Sequence, residues 1–189
     1  SLRGQFSYQD LEALKNYSPI EWFATPFDLE AVDFLEDIGV KRYKVASRSV
    51  IDLKLIERIA RTKKPVIMST GNHPNNIIQE ALDILCKNQI TLLYSTLDYP
   101  TQIKDIDFSK MIFLSKTINM NYGFSDHTQG IWSSIEAARL EANIIEKHFT
   151  LNKGLAGPDH ICSMTPDELK ILSTSARNIE NFLKSEKDN

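Results

Sequence analysis

Two histidines near the ends of two apolar runs are the residues of this chain best suited to chemistry. His127 lies in YGFSDHT (122–128), and His148 lies in NIIEKHFT (143–150). If these runs are neighbouring parallel strands, both imidazoles emerge at the same rim of the sheet. Imidazole nitrogen binds Mn, Fe or Zn, so the pair predicts a shared site for one divalent metal. The alternative is that one or both rings only form hydrogen bonds at a strand end.

Two earlier apolar runs also carry polar residues. Lys44 lies in RYKVAS (42–47), and Ser69 lies in PVIMST (65–70). A lysine within an apolar strand is costly to bury without an anionic partner, so Lys44 is a candidate for binding a phosphate or a carboxylate. Two other interpretations stay open: Lys44 is a surface lysine, or Lys44 or Lys147 forms a Schiff base as in an aldolase.

Side-chain alternation along the two late strands groups further residues with the histidines. Ser125 shares a face with His127, and Glu146 shares a face with His148. The Gly- and Pro-containing loop that follows includes Asp159, a candidate for binding a sugar hydroxyl. This combination is typical of the rim of an active site and not of a general core.

The elements that must position these residues alternate between short strands and helices. Strands are predicted at 21–25, 42–47, 65–70, 90–96, 122–128 and 143–150. Helices are predicted at 6–18, 28–39, 52–64, 74–88, 132–142 and 165–187. Their signals are Asp28 as an N-cap, Gly39 as a stop, Pro74 in a first turn and a capping box from Thr165 to Glu168.

Strands separated by single helices pair in parallel, which leaves a doubly wound sheet or a (β/α) barrel. Polar residues end nearly every run, and only in a barrel do all these ends converge on one mouth. We therefore predict an α/β fold, a partial TIM (β/α) barrel with about six of the eight β/α units of a complete one. Residues 1–189 are expected to form this single incomplete domain.

Composition narrows the classes of function. The chain has 189 residues, 42% of them hydrophobic, and a net charge of −3, so no basic patch suggests binding to nucleic acid. No apolar run approaches the ~20 residues that span a bilayer, so we expect no membrane segment. The two cysteines form no CxxC pair and are expected to be reduced thiols in a cytoplasmic protein.

Several segments of the chain, in order and spacing, resemble the sialic acid synthase family, which includes N-acetylneuraminate, legionaminate, pseudaminate and spore-coat polysaccharide synthases. The resemblance extends from about residue 20 to about residue 180. It is carried by ATPFD (24–28), KPVIMSTG (64–71), YSTLDYPT (94–101), GFSDHTQGI (123–131) and IEKHFTLNKGLAGPDH (145–160).

The resemblance implies a barrel enzyme that condenses phosphoenolpyruvate with an N-acylated amino sugar such as N-acetylmannosamine. It implies a divalent metal, Mn or Mg, bound by His127 and His148, and a catalytic role for both histidines and Lys44. Matching positions imply phosphoenolpyruvate contacts from Thr25, Lys44, Ser47, Ser69 and Ser125, and amino-sugar contacts from Tyr99 and Asp159.

The sequence also departs from the family pattern. Arg48 and Ser49 stand where the family usually has Gly-Glu, and no counterpart occurs of the Glu-Ile-Gly and Lys-Phe-Gln segments of the first two family strands. The C-terminal antifreeze-like domain has no counterpart either. We therefore expect the isolated chain to be inactive, with a homodimer or a complementing chain as possible partners. The alternative is a fragment that only binds ligand or a partner chain.

Overall fold

The sheet of this protein has the strand order of a (β/α) barrel. The computed structural model describes residues 6–118 and 120–187, and five strands lie within them: β1 (Tyr43–Val45), β2 (Val66–Ser69), β3 (Ile90–Ser95), β4 (Asn121–Asp126) and β5 (Ile144–Lys147). Their order is β1-β2-β3-β4-β5, and the pairs β1–β2, β3–β4 and β4–β5 are parallel. A doubly wound sheet would reverse its order at a switch point. The predicted fold class, a partial TIM barrel, is therefore confirmed.

One predicted strand is absent from the structure, the one at residues 21–25. A strand requires repeated ladder bonds with a neighbour. Here a single backbone bond reaches β1, from Lys44 N to Ala24 O at 3.5 Å. Pro26 follows directly and has no N–H to continue a ladder. The described residues thus contain five strands where six were predicted.

All six predicted helices are present, and the structure adds one that was missed. The helices are α1 (Tyr8–Tyr17), α2 (Leu29–Asp37), α3 (Leu53–Ala60), α4 (Asn75–Ile84), α5 (Phe108–Ile118), α6 (Trp132–Arg139) and α7 (Pro166–Lys187). The missed helix is α5, in which most of the apolar residues form one contiguous run at 111–114, a pattern that does not separate a helix from a strand.

The helix ends follow local side-chain chemistry. Asp28 accepts a hydrogen bond from Ala31 N at 2.7 Å, as predicted for an N-cap. The predicted capping box at α7 is formed by Thr165 N donating to Glu168 Oε2 at 2.8 Å and Glu168 N donating to Thr165 Oγ1 at 3.4 Å. Pro74 is the N-cap of α4, one position before the predicted first turn.

The chain divides into two compact units. The first comprises Ser1–Met68 and Pro74–Ile90, and the second comprises Ser69–His73 and Thr91–Asn189. In the first unit, the fully buried Tyr43 of β1 donates a hydrogen bond to Glu36 Oε1 of α2 at 2.7 Å. Lys64 Nζ donates to the same oxygen at 2.5 Å, so this carboxylate joins α2 to the segments on both sides of α3.

In the second unit, the core is centred on the buried Phe124 of β4. Its ring stacks on Tyr94 of β3 at 5.7 Å between centroids and meets Phe108 of α5 edge-on at 5.2 Å. Residues 1–5, 119 and 188–189 lie outside the described part, and the expectation of a single domain over 1–189 stays a prediction. Across the described ranges, every helix is too short or too polar to cross a lipid bilayer.

Candidate functional site

The two predicted histidines lie side by side just past the carboxyl ends of β4 and β5. The register pairs Asp126 with Lys147, and His127 and His148 are the next residues along each strand. Their ring centroids are 5.5 Å apart. A ligating nitrogen lies about 2.1 Å from a metal, which places its ring centroid at about 3 Å, so two rings that share one ion have centroids within about 6 Å. The observed separation satisfies that requirement.

His127 is held in a defined orientation by its surroundings. Its Nδ1 lies 3.2 Å from the Thr96 carbonyl oxygen, and its side chain is almost entirely buried. A carbonyl can only accept, so Nδ1 carries the proton and Nε2 keeps its lone pair. Burial, and next the neighbouring His148, hold the pKa of His127 below its usual value, against opposing effects of the Thr96 carbonyl and Glu146. The neutral ring is the form that binds metal.

Tyr99 covers the two imidazoles. Its ring centroid lies 4.0 Å from that of His127 and 5.7 Å from that of His148. The phenol is 46% exposed, so it borders solvent as well as the rings. Burial raises the pKa of Tyr99, and the carboxylates of Asp159 and Glu146 raise it further, which places both acidic groups within electrostatic range of this ring.

Glu146 is a site residue that was not predicted as one. It accepts a hydrogen bond from the buried Ser125 Oγ at 2.7 Å. Strand alternation had already placed Glu146 on the face of His148 and Ser125 on the face of His127. That pattern was the available signal, and it shows that a carboxylate adjoins the histidine pair.

A buried ion pair lies on the opposite face of the same two strands. Lys147 Nζ is 3.0 Å from Asp126 Oδ2, and both side chains are fully buried. Lys147 also donates to the Thr128 carbonyl at 2.8 Å. Asp126 further accepts from the Thr128 N–H and hydroxyl, each at 2.8 Å, and from Ser133 and Ser134 at 2.9 and 2.5 Å. Each group is therefore paired and hydrogen-bonded, as buried charges require.

Three of the predicted phosphoenolpyruvate contacts lie in the first unit. Lys44 is only 7% exposed, and its Nζ lies 3.3 Å from the Val45 carbonyl oxygen, so it is not a surface lysine. Thr25 is half-buried and precedes α2, and Ser47 begins a 3-10 turn over Ser47–Ser49. In that turn, Arg48 lies over the ring of Phe27 at 4.0 Å.

The remaining predicted contacts lie in the second unit. Ser69 is buried at the end of β2. The backbone of Asp159 is fixed in its loop, because its carbonyl accepts from Ser163 Oγ at 2.7 Å and from Cys162 Sγ at 3.2 Å. The second unit therefore contains Ser69, Tyr99, Ser125, His127, His148 and Asp159.

The donor set at the histidines fits a divalent metal that keeps open positions. Within residues 6–118 and 120–187, no group of three or more His, Cys, Asp or Glu side chains is arranged to hold an ion. His127 and His148 offer two nitrogen ligands, and the other coordination positions would fall to water and substrate. The metal-ligand roles of both residues remain a prediction.

The chain is similar in sequence and in structure to known proteins. The N,N'-diacetyllegionaminic acid synthase of Campylobacter jejuni is 42% identical over 169 residues, which cover 87% of this chain and 51% of that protein. The crystal structure of an N-acetylneuraminic acid synthetase from Leptospira borgpetersenii matches with a TM-score of 0.91 and 33% identity, over 95% of this chain and 65% of that one. The chain thus spans about half the length of the curated relative.

A more distant structure supports the fold alone. A truncated 3-deoxy-D-arabino-heptulosonate 7-phosphate synthase from Thermotoga maritima has a TM-score of 0.79 at 14% identity, over 95% of this chain. The NeuB family model matches residues 3–188, nearly the whole chain. With the paired histidines on adjacent strand ends and these relatives, the chain belongs to the NeuB family.

Proposed function

We propose that this chain takes part in the condensation of phosphoenolpyruvate with an N-acylated amino sugar. In this reaction a carbon–carbon bond forms to the sugar aldehyde, water adds to the former enol carbon, and phosphate leaves. The family relationship supports the reaction class. The single observation that carries the proposal is the 5.5 Å separation of the His127 and His148 rings at the ends of adjacent strands.

The proposal assigns a divalent metal, Mn or Mg, to His127 and His148. When bound, it would supply Lewis acidity toward the sugar aldehyde. The chain's own residues prepare that position. The Thr96 carbonyl fixes the proton of His127 on Nδ1, and Ser125 orients the Glu146 carboxylate beside the rings. This carboxylate adds negative charge that favours a cation there.

The same proposal assigns substrate contacts by chemistry. Lys44 supplies positive charge to the phosphate or carboxylate of phosphoenolpyruvate, and the hydroxyls of Thr25, Ser47, Ser69 and Ser125 donate hydrogen bonds to it. Tyr99 and Asp159 are assigned to the amino sugar. The exposed phenol of Tyr99 and the loop position of Asp159 support this, since both border solvent near the histidines.

The alternative of a Schiff-base lysine loses one of its two candidates. Lys147 is fully buried, ion-paired with Asp126 and hydrogen-bonded to Thr128. A Schiff base requires a neutral, accessible amine. Lys44 remains as the candidate for this chemistry. Borohydride trapping of a substrate on Lys44, together with activity that survives a chelator, would support the aldolase instead.

The proposal includes a limit on the isolated chain. Arg48 and Ser49 stand where the family usually has Gly-Glu, so this segment lacks that carboxylate. We propose that these 189 residues alone have little activity, with a second copy or a complementing chain as partner. Nonulosonic acid formed by the isolated chain would overturn this limit on its activity.

The free thiols of Cys86 and Cys162 agree with a cytoplasmic location.

Binding measurements test the function without requiring turnover. Isothermal titration calorimetry of the chain with Mn²⁺ should give one site per chain, and His127→Ala or His148→Ala should weaken it at least about tenfold. The matched control is His73→Ala, a histidine in the loop after β2. Phosphoenolpyruvate should then raise the unfolding temperature of the Mn²⁺-loaded native chain. Equal Mn²⁺ affinity in all three variants, or no stabilisation by phosphoenolpyruvate, would overturn the proposal.

A further inference from the structure

We propose that the buried Asp126–Lys147 ion pair is a positioning device that sets the distance between the His127 and His148 rings. The proposal rests on the proposed function only where metal affinity is the readout. It assigns both charged residues to positioning and not to catalysis, since they lie on the strand face opposite the histidines.

The place of the pair in the sheet is the first argument. Asp126 and Lys147 form the last registered rung between β4 and β5, and each directly precedes one of the histidines. The histidines therefore follow directly after the ladder. His127 O accepts from Thr101 N at 3.0 Å, which ties that histidine to a third segment as well. The 3.0 Å ion pair is the side-chain tie on the rung directly before the two rings.

The anchoring of the pair to α6 is the second argument. Asp126 Oδ2 accepts from Ser133 and Ser134 in the first turn of α6, at 2.9 and 2.5 Å. Lys147 Nζ in turn donates to the Thr128 carbonyl, between β4 and α6. The end of β5 is thereby fixed to the same junction as the end of β4. Neither strand end can shift relative to the other without breaking several of these bonds.

The energetics of buried charges are the third argument. A buried ion pair commonly stabilises a fold no more than an apolar pair of equal volume, because desolvation of both charges offsets their attraction. What the charged pair adds is fixed geometry through directional hydrogen bonds. Replacing both residues by uncharged residues of similar shape should therefore leave the fold intact. It should also make the distance between the two rings more variable.

The experiment uses the double variant Asp126→Asn/Lys147→Met, which keeps shape and removes both charges. The exposed pair Glu136–Arg139 on α6 supplies the matched control, Glu136→Gln/Arg139→Met. Both double variants should unfold within about 4 °C of the native chain. In the metal-free native chain and in the control, nuclear Overhauser effects should connect the two imidazole rings. In the Asp126→Asn/Lys147→Met chain they should be lost.

A second readout follows metal binding. The Asp126→Asn/Lys147→Met chain should bind Mn²⁺ about tenfold more weakly, because two rings that are no longer held side by side must be ordered when the ion binds. If that chain fails to fold, Asp126→Asn/Lys147→Gln serves, since it also removes both charges and leaves an amide that can donate to the Thr128 carbonyl. A folded variant with native ring-to-ring effects overturns the positioning role. Absent Mn²⁺ binding by the native chain would instead overturn the proposed function, and the metal-free test would still stand.

Discussion

Gly123→Ala should destabilise the protein and separate the strands that carry the two histidines. Gly123 lies in β4, opposite Ile144 of β5 in the register. An added Cβ would stand 2.6 Å from Leu93 Cδ2 and closer still to the Ile144 carbonyl oxygen. Carbon atoms in contact normally stay about 3.5 Å apart, so each neighbour must withdraw by about 1 Å.

The two neighbours differ in how they can respond. The tip of Leu93 can rotate away, but the Ile144 oxygen is backbone and moves only with β5. Overpacking of this kind typically costs about 1–3 kcal/mol. Weakening one or two ladder hydrogen bonds adds about 0.5–1.5 kcal/mol each. We expect the free energy of unfolding to fall by about 2–4 kcal/mol.

Urea unfolding followed by circular dichroism measures this change. Gly154→Ala is the matched control, because its Cβ would meet only the side-chain oxygen of Asn152 at 3.2 Å. The control should change the free energy of unfolding by no more than about 0.5 kcal/mol. If Gly123→Ala is as mild as Gly154→Ala, the close approach of β4 and β5 is refuted, and with it the reasoning that sets the histidines side by side.

Three further changes test other parts of the structure. Tyr43→Phe removes the buried hydroxyl that bonds Glu36 and should lower the free energy of unfolding by about 1–2 kcal/mol in urea. Thr165→Ala removes the N-cap of α7 and should lower it by about 1 kcal/mol in the same assay. His127→Asn can still donate to the Thr96 carbonyl but does not titrate. The folded pKa of His127 lies below its unfolded value of about 6.5, so the unfolded chain binds more protons below that pH. Native stability in EDTA should therefore fall as pH drops below about 6.5, and the Asn variant should show a shallower fall; an equal slope would contradict the assignment.

The elements with strong local signals were predictable from sequence. Asp28 and Thr165 cap their helices by bonds to residues three positions away, and Gly39 ends α2 with a φ of +71°. Such contacts form between residues of one short segment, so the local sequence predicts them. The missed helix α5 and the absent strand at 21–25 depend instead on tertiary partners, which local patterns do not contain.

Alternation along each strand predicted which residues share a face, but the partners of a side chain on another strand depend on the register between the strands, which the sequence does not contain. The pairing of His127 with His148 followed from the assumption that their strands are adjacent. Glu146 shared the face of His148 but has its Ser125 partner on another strand. Lys147 was open to interpretation as a Schiff-base lysine, because its Asp126 partner lies 21 residues away and is revealed only by the register.

The nitrogen couplings of Mn²⁺ bound to this chain test the central claim most directly. Electron spin-echo envelope modulation of the Mn²⁺-loaded protein should show two histidine nitrogens. His127→Ala and His148→Ala should each reduce these to one. An ion without nitrogen coupling, or couplings unchanged in both variants, would contradict a metal shared by these two rings.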